Sequence, residues 1–202
     1  MAEPSRCALL ILAAGASTRM GRPKQLLAVD GQPLLRRVTE AALAAPVSAV
    51  VVVLGARAAE IAPCLAGLPV QIVVNPGWAE GMGSSLRTGI EAIAAVSPAP
   101  DFVVIALGDQ PDFAAGQVIR LIETQRATSR PIVAADYDGV RGPPVLFAAK
   151  YFPALAALEG DSGARALVQA HPHEVATASF PKATDLDTPA DYDGYLGRKP
   201  MS

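Results

Sequence analysis

The sequence predicts an α/β fold, a single domain with a mostly parallel, Rossmann-like sheet and helices on both faces. Apolar, β-branched runs alternate along the chain with helical segments, the pattern of right-handed βαβ units. The 202 residues are 51% hydrophobic but only 5% aromatic, so the core is expected from Ala, Val, Leu and Ile, as in a helix-covered parallel sheet rather than a sandwich. A chain of this length suits one substantial core.

Residues 8–13 predict a buried strand, an apolar run broken by a glycine-rich turn. Pro33 opens a helix over 33–45, which Pro46 ends. The clearest strand is 49–55, with valines from Val50 to Val53 and an exit at Gly55. A short helix over 58–65 and a strand over 70–74 follow, closed by Asn75-Pro76-Gly77. Ser84 is expected to cap an amphipathic helix reaching about residue 96. Residues 101–107 predict the fourth strand, 114–128 a helix and 131–135 a fifth strand. Over 137–147 a hairpin-like pair turns at Asp138-Gly139. A capped helix over 159–170 and a last strand over 175–180 come next. A terminal helix then opens at Thr188 and Pro189, and 197–202 form a loose tail.

Composition excludes several functions. A net charge of −2 with no long basic run gives no footprint for nucleic acid or an anionic membrane, so a small-molecule partner is expected. The first four residues are too few for a signal peptide, and no apolar run reaches the roughly 18 residues of a membrane span. A cytoplasmic protein is expected. Cys7 and Cys64 are too few for a disulfide framework or zinc site and are expected as buried apolar residues. His171 and His173 flank Pro172 in what the sequence presents as a solvated turn.

The chemistry concentrates in the loop after the first strand, from Leu12 through Ala13, Ala14 and Gly15 to Gln25. Small residues let the backbone approach a ligand, Gly15 and Gly21 permit positive φ, and several N–H groups can turn toward one anion. Arg19, Arg22 and Lys24 supply countercharge. Five residues separate Gly15 from Gly21 and Arg22-Pro23 follows, so this is no P-loop. Nor does it carry the G-x-G-x-x-G of dinucleotide binding. A nucleotide's phosphates are nevertheless expected here, at the carboxyl ends of the strands.

Asp109 stands directly beyond the fourth strand, on the edge that carries the loop. It is positioned to hold a divalent cation over phosphates, or else to cap the next helix. The turn from Gly81 to Ser85 is expected beside a nucleobase, where hydroxyl and N–H groups can bond a pyrimidine edge. Gly160-Asp161-Ser162-Gly163 looks like a protease nucleophile segment, but its α/β setting and the histidines close behind it exclude a triad.

The unbroken pattern L-A-A-G-x-S-x-R-M-G-x-P-K-Q over 12–25 resembles the signature of the cytidylyltransferases that activate molybdopterin, within the molybdopterin nucleotidyltransferase group. G-M-x-x-S-L, G-D-Q-P, R-G-x-P-x-x-F, G-D-x-G-A-R and D-x-D-T-P recur in order along the chain. The resemblance implies a nucleotide-diphospho-sugar transferase type of fold, with 8–135 as nucleotide-binding core and 136–195 as acceptor side. It implies that Leu12, Ala13, Ala14, Gly15, Gly81 and Ser85 bind nucleotide, that Arg19 and Lys24 act on its phosphates, and that Asp109 and Asp187 hold Mg²⁺. Arg141, Asp161 and Arg165 fall on the acceptor side. The implied reaction is transfer of CMP from CTP to molybdenum-loaded molybdopterin, with a recipient molybdoenzyme or its maturation factor downstream. GTP, a sugar-phosphate or isoprenoid acceptor, and noncatalytic nucleotide or cofactor binding stay open at this point.

Overall fold

The computed structural model describes residues 6–181 and 184–198; the first five residues, Lys182, Ala183 and the last four positions lie outside the described residues. Strand β1 (Cys7–Ala13) is buried along its whole length, so both its faces must be covered. A loop and a two-residue hairpin, β2 (Ala28–Val29) with β3 (Gln32–Pro33), lead into α1 (Leu34–Leu43). Then come β4 (Ala49–Leu54), α2 (Ala58–Ile61), β5 (Gln71–Val74), α3 (Met82–Ala94), β6 (Phe102–Leu107) and α4 (Ala115–Thr128). β7 (Ile132–Tyr137) and β8 (Val140–Ala148) form the expected hairpin, with Asp138 and Gly139 both at positive φ. α5 (Phe152–Ala156), α6 (Arg165–Ala170), β9 (Val175–Ser179) and α7 (Pro189–Arg198) complete the order.

Among the described residues seven strands make one sheet in the order β5-β4-β1-β6-β8-β7-β9. Its ladders are parallel except on either side of β8, which runs antiparallel to both β6 and β7. β7 and β9 therefore run in the same direction as β6, and the segments leaving β1, β6 and β9 all emerge at one edge. Alternate residues of the strands feed two cores. On one face Leu9, Ile11, Val52 and Val104 pack with Leu35 and Val38 of α1, Leu121 of α4 and Tyr195 of α7. On the other, Leu10, Val53 and Ile105 pack with Leu86 and Ile90 of α3, Leu155 of α5 and Val168 of α6.

Several boundaries differ from expectation for local reasons. Pro33 is extended and paired with Ala28, so it precedes α1 instead of starting it. Gly81, at φ 109°, takes the N-cap of α3, and Ser84 sits buried inside the first turn. The helix expected over 159–170 begins only at Arg165, because Gly160 adopts φ 57° in a turn whose carbonyl accepts from the Gly83 N–H. Gly197 belongs to α7; the rest of the expected tail, beyond Arg198, lies outside the described residues. Cys7 is buried as expected, and burial pushes its thiol up to about 12, whereas Cys64 is partly exposed. No helix among the described residues is long and apolar enough to cross a membrane.

Glycines test this packing. A Cβ on Gly83 would lie 2.4 Å from the backbone oxygen of Leu158, whereas one on Gly116 meets nothing within 4 Å. Gly83→Ala is expected to cost about 1–3 kcal/mol, while Gly116→Ala stabilises by up to about 1 kcal/mol. Chemical denaturation of the two variants beside the parent checks both signs.

Candidate active site

The loop after β1 is held open by side chains of its own sequence. Ser17 adopts the left-handed region (φ 57°), and its hydroxyl accepts from the Lys24 N–H at 3.1 Å. Gln25 is buried, and its amide donates to the Ala13 and Gly15 carbonyls at 2.9 and 3.1 Å. Gly21 takes positive φ as expected, but Gly15 does not; Ser17 supplies the other left-handed turn. Around Gly15 a Cβ would meet nothing within 4 Å, so the backbone there faces open space.

That space is a cleft of about 500 Å³. Leu12, Ala13, Ala14, Gly15, Arg19 and Lys24 line it from the loop. Gly81 and Ser85 line it from the start of α3, and Asp109 and Asp161 from their own turns. Asp187 is brought in through charge: Lys24 Nζ contacts the Asp109 carboxylate and lies 3.0 Å from Asp187 Oδ1, while Arg19 lies 3.1 Å from Asp187 Oδ2. The backbone supports this meeting, since the Leu186 N–H donates to the Asp109 carbonyl at 3.2 Å and Gln110 donates to Asp185 at 2.9 Å. Asp109 does not cap α4, whose N-cap is Ala114.

Burial acts against charge at this cluster, and the carboxylates decide the outcome for the lysine. Burial alone would lower the Lys24 ammonium's pKa, but Asp109 and then Asp187 reverse this and hold it above its ordinary value. Burial pushes the Asp109 carboxyl up, with Lys24 opposing. Asp109 Oδ1 is buried and has no hydrogen-bond partner among the described residues. An orphaned carboxylate oxygen beside a second carboxylate is a fit for a hard cation that completes its shell with phosphate oxygens. Among the described residues no group of three or more His, Cys, Asp or Glu could hold a metal without such help.

Acceptor-side expectations divide. Asp161 lies in the main cleft, whereas Arg141 and Arg165 share a second cavity of about 240 Å³ with Gln169 and Pro172. Sequence reasoning also passed over residues that shape the cleft. Asn75 is buried, donates to Ser84 and Ser85 at 2.8 and 3.0 Å and accepts from the Gly77 N–H at 2.9 Å, so it fixes the entry to α3. The Asn-Pro-Gly turn was the one signal for it. Trp78, the single tryptophan, and Met82 also line the cleft. From α7, Tyr192 lies under the Arg22 guanidinium and donates to the Ala28 carbonyl at 2.7 Å, bracing the loop from outside.

A glycine loop at the carboxyl edge of a doubly wound sheet, with a lysine joining two carboxylates, is suited to receive an anionic ligand such as the phosphates of a nucleotide. The chain belongs to the family of the MobA-like NTP transferase domain, whose model matches residues 9–175. Nicotine blue oxidoreductase of Paenarthrobacter nicotinovorans is 36% identical over 172 residues, 81% of each chain. The purine catabolism protein PucB of Bacillus subtilis is 29% identical over 96% of each. Among solved structures, Rv0371c of Mycobacterium tuberculosis superposes with TM-score 0.83 at 31% identity, covering 96% of this chain and 98% of that one. Rv0371c has also been solved as a complex with manganese (TM-score 0.81, 30% identity, 96% of this chain and 100% of that one).

The two buried amide donors of Gln25 give a sharp test of the loop. Gln25→Glu would set a carboxylate against two carbonyl oxygens and is expected to cost about 1–3 kcal/mol or more. Nucleotide affinity should fall with it. Thermal unfolding and isothermal titration with a nucleoside triphosphate measure the two losses together.

Proposed function

We propose that the protein transfers CMP from CTP to a molybdopterin-type acceptor, preferentially the molybdenum-loaded form, and releases pyrophosphate. One observation carries the nucleotidyl-transfer part: Lys24, Asp109 and Asp187 meet beside a cleft walled by the Leu12–Gly15 backbone. The choice of CTP and of acceptor draws on the L-A-A-G and R-M-G-x-P-K pattern of the loop.

In this reading an acceptor phosphate oxygen attacks the α-phosphorus in line; the new P–O bond forms as the bond to the β-phosphate oxygen breaks, and pyrophosphate leaves with the electron pair. An ionised acceptor phosphate is already a nucleophile, so no side chain has to remove a proton. Backbone N–H groups of the loop receive the phosphates, and Arg19 and Lys24 neutralise charge that grows on them in the transition state. Asp109 and Asp187 would hold Mg²⁺ or a similar divalent cation. When bound, that ion supplies Lewis-acid charge neutralisation on the phosphoryl oxygens. The Lys24 ammonium neutralises the two carboxylates directly. The Ser85 hydroxyl, which accepts from Asn75, keeps its own proton to donate toward a base.

Pyrophosphate release with molybdenum-loaded molybdopterin and Mg²⁺, comparing CTP with GTP, ATP and UTP, tests the proposal. CTP is expected to lead, chelation of divalent metal to abolish turnover, and Lys24→Met and Asp109→Asn each to lower kcat by about 10²-fold or more. Release with another nucleotide or only with a sugar phosphate would move the specificity; binding without release for every nucleotide would remove the transfer reading.

A further inference from the structure

We propose that Trp78 is the stacking platform for the nucleobase, a rigid aromatic wall that makes base binding separable from phosphate binding. The inference rests on the nucleotidyltransferase reading and deepens it. Trp78 is the single tryptophan and one of only five percent of residues that are aromatic, yet it stays 37% exposed while lining the cleft. A large apolar ring left in water at a polar cleft is an unusual expense of surface unless something flat covers it.

The place of the Trp78 backbone and Cβ is built from both sides. Beneath it the chain has made room: a Cβ on Gly55, at the exit of β4, would lie 2.6 Å from Trp78 Cβ, 2.7 Å from the Ala14 oxygen and 2.8 Å from Ala14 Cβ. Glycine at 55 and alanine at 14 therefore let Trp78 close directly on the carboxyl ends of β1 and β4, where the triphosphate loop begins. Its backbone is equally fixed. The Gly77 N–H donates to Asn75 Oδ1 at 2.9 Å, the Ser84 hydroxyl lies 2.9 Å from the Gly77 oxygen, and the Gly81 N–H donates to the Trp78 carbonyl at 3.3 Å.

The same knot sets the hydroxyl that would read the base edge. Asn75 donates to Ser85 at 3.0 Å, so the aromatic face and the hydrogen-bonding group are referred to one buried amide. Met82, the first residue of α3 and 41% exposed, also lines the cleft, and a Cβ on Gly163 would lie only 2.6 Å from its sulfur. The cations Arg19 and Lys24 belong to the loop instead. A ligand with a flat heterocycle at one end and phosphates at the other matches this separation of apolar wall from charge.

The lone tryptophan reports on itself. Titrating the wild-type chain with CTP and Mg²⁺ should quench its fluorescence, while inorganic tripolyphosphate with Mg²⁺, which has no ring, should bind in calorimetry with little quenching. Trp78→Leu should weaken CTP about tenfold or more in calorimetry and leave tripolyphosphate affinity within about twofold, with Trp78→Phe restoring most of the loss. Thermal unfolding confirms that each variant is folded. CTP binding unchanged in Trp78→Leu, or parallel loss of CTP and tripolyphosphate, overturns the platform while leaving the nucleotide reading intact. Failure of the wild-type chain to bind CTP overturns both.

Discussion

The site depends on one half-buried cation shared between two carboxylates. Lys24, Asp109 and Asp187 come from the loop after β1, the turn after β6 and the segment after β9, and burial alone would oppose the charge on Lys24 and on Asp109. Lys24 contacts both carboxylates, so the arrangement ties distant parts of the chain to a single point. The fold is arranged to make that meeting cheap. Because β8 runs antiparallel between β6 and β7, β9 is turned to run with β6, and its exit returns to the edge where Lys24 already lies.

Close backbone approach is the second theme. Gly55 at the exit of β4, Gly81 at the N-cap of α3 and Gly83 in its first turn each stand where a side chain would collide with neighbouring backbone or with Trp78. The buried amides of Gln25 and Asn75 hold the two walls that result, one behind the glycine loop and one behind the serines. Rigid walls suit nucleotidyl transfer, in which positioning and charge neutralisation do most of the catalytic work.

The parts of this design that are contiguous in sequence were legible there. The parallel strands showed as apolar runs, and the loop over 12–25 and Asp109 at a strand exit showed as local patterns. What failed to show depends on contacts between distant residues. Ser84 looked like a cap because nothing nearby reveals that Gly81 packs on Gly160, which moves the helix start back to Met82. Asp161 and Arg165 stood four positions apart in one motif, yet they line different cavities once Gly160 turns the chain. Gln25 and Asn75 are polar residues with no periodicity to mark them as buried, and Trp78 acquires its role from the space left by Gly55.

The bracing of the loop by α7 orders the site in time as well as in space. Arg22 over Tyr192, the Tyr192 hydroxyl on Ala28 and the pairing of Arg19 with Asp187 all join the first strand's loop to the segment 187–198. A chain emerging from its amino end can lay down β1, β4 and β6 and bring Lys24 to Asp109 early. Until residues 187–198 are made it holds half a charge cluster, so the site needs both ends of the sheet to be complete.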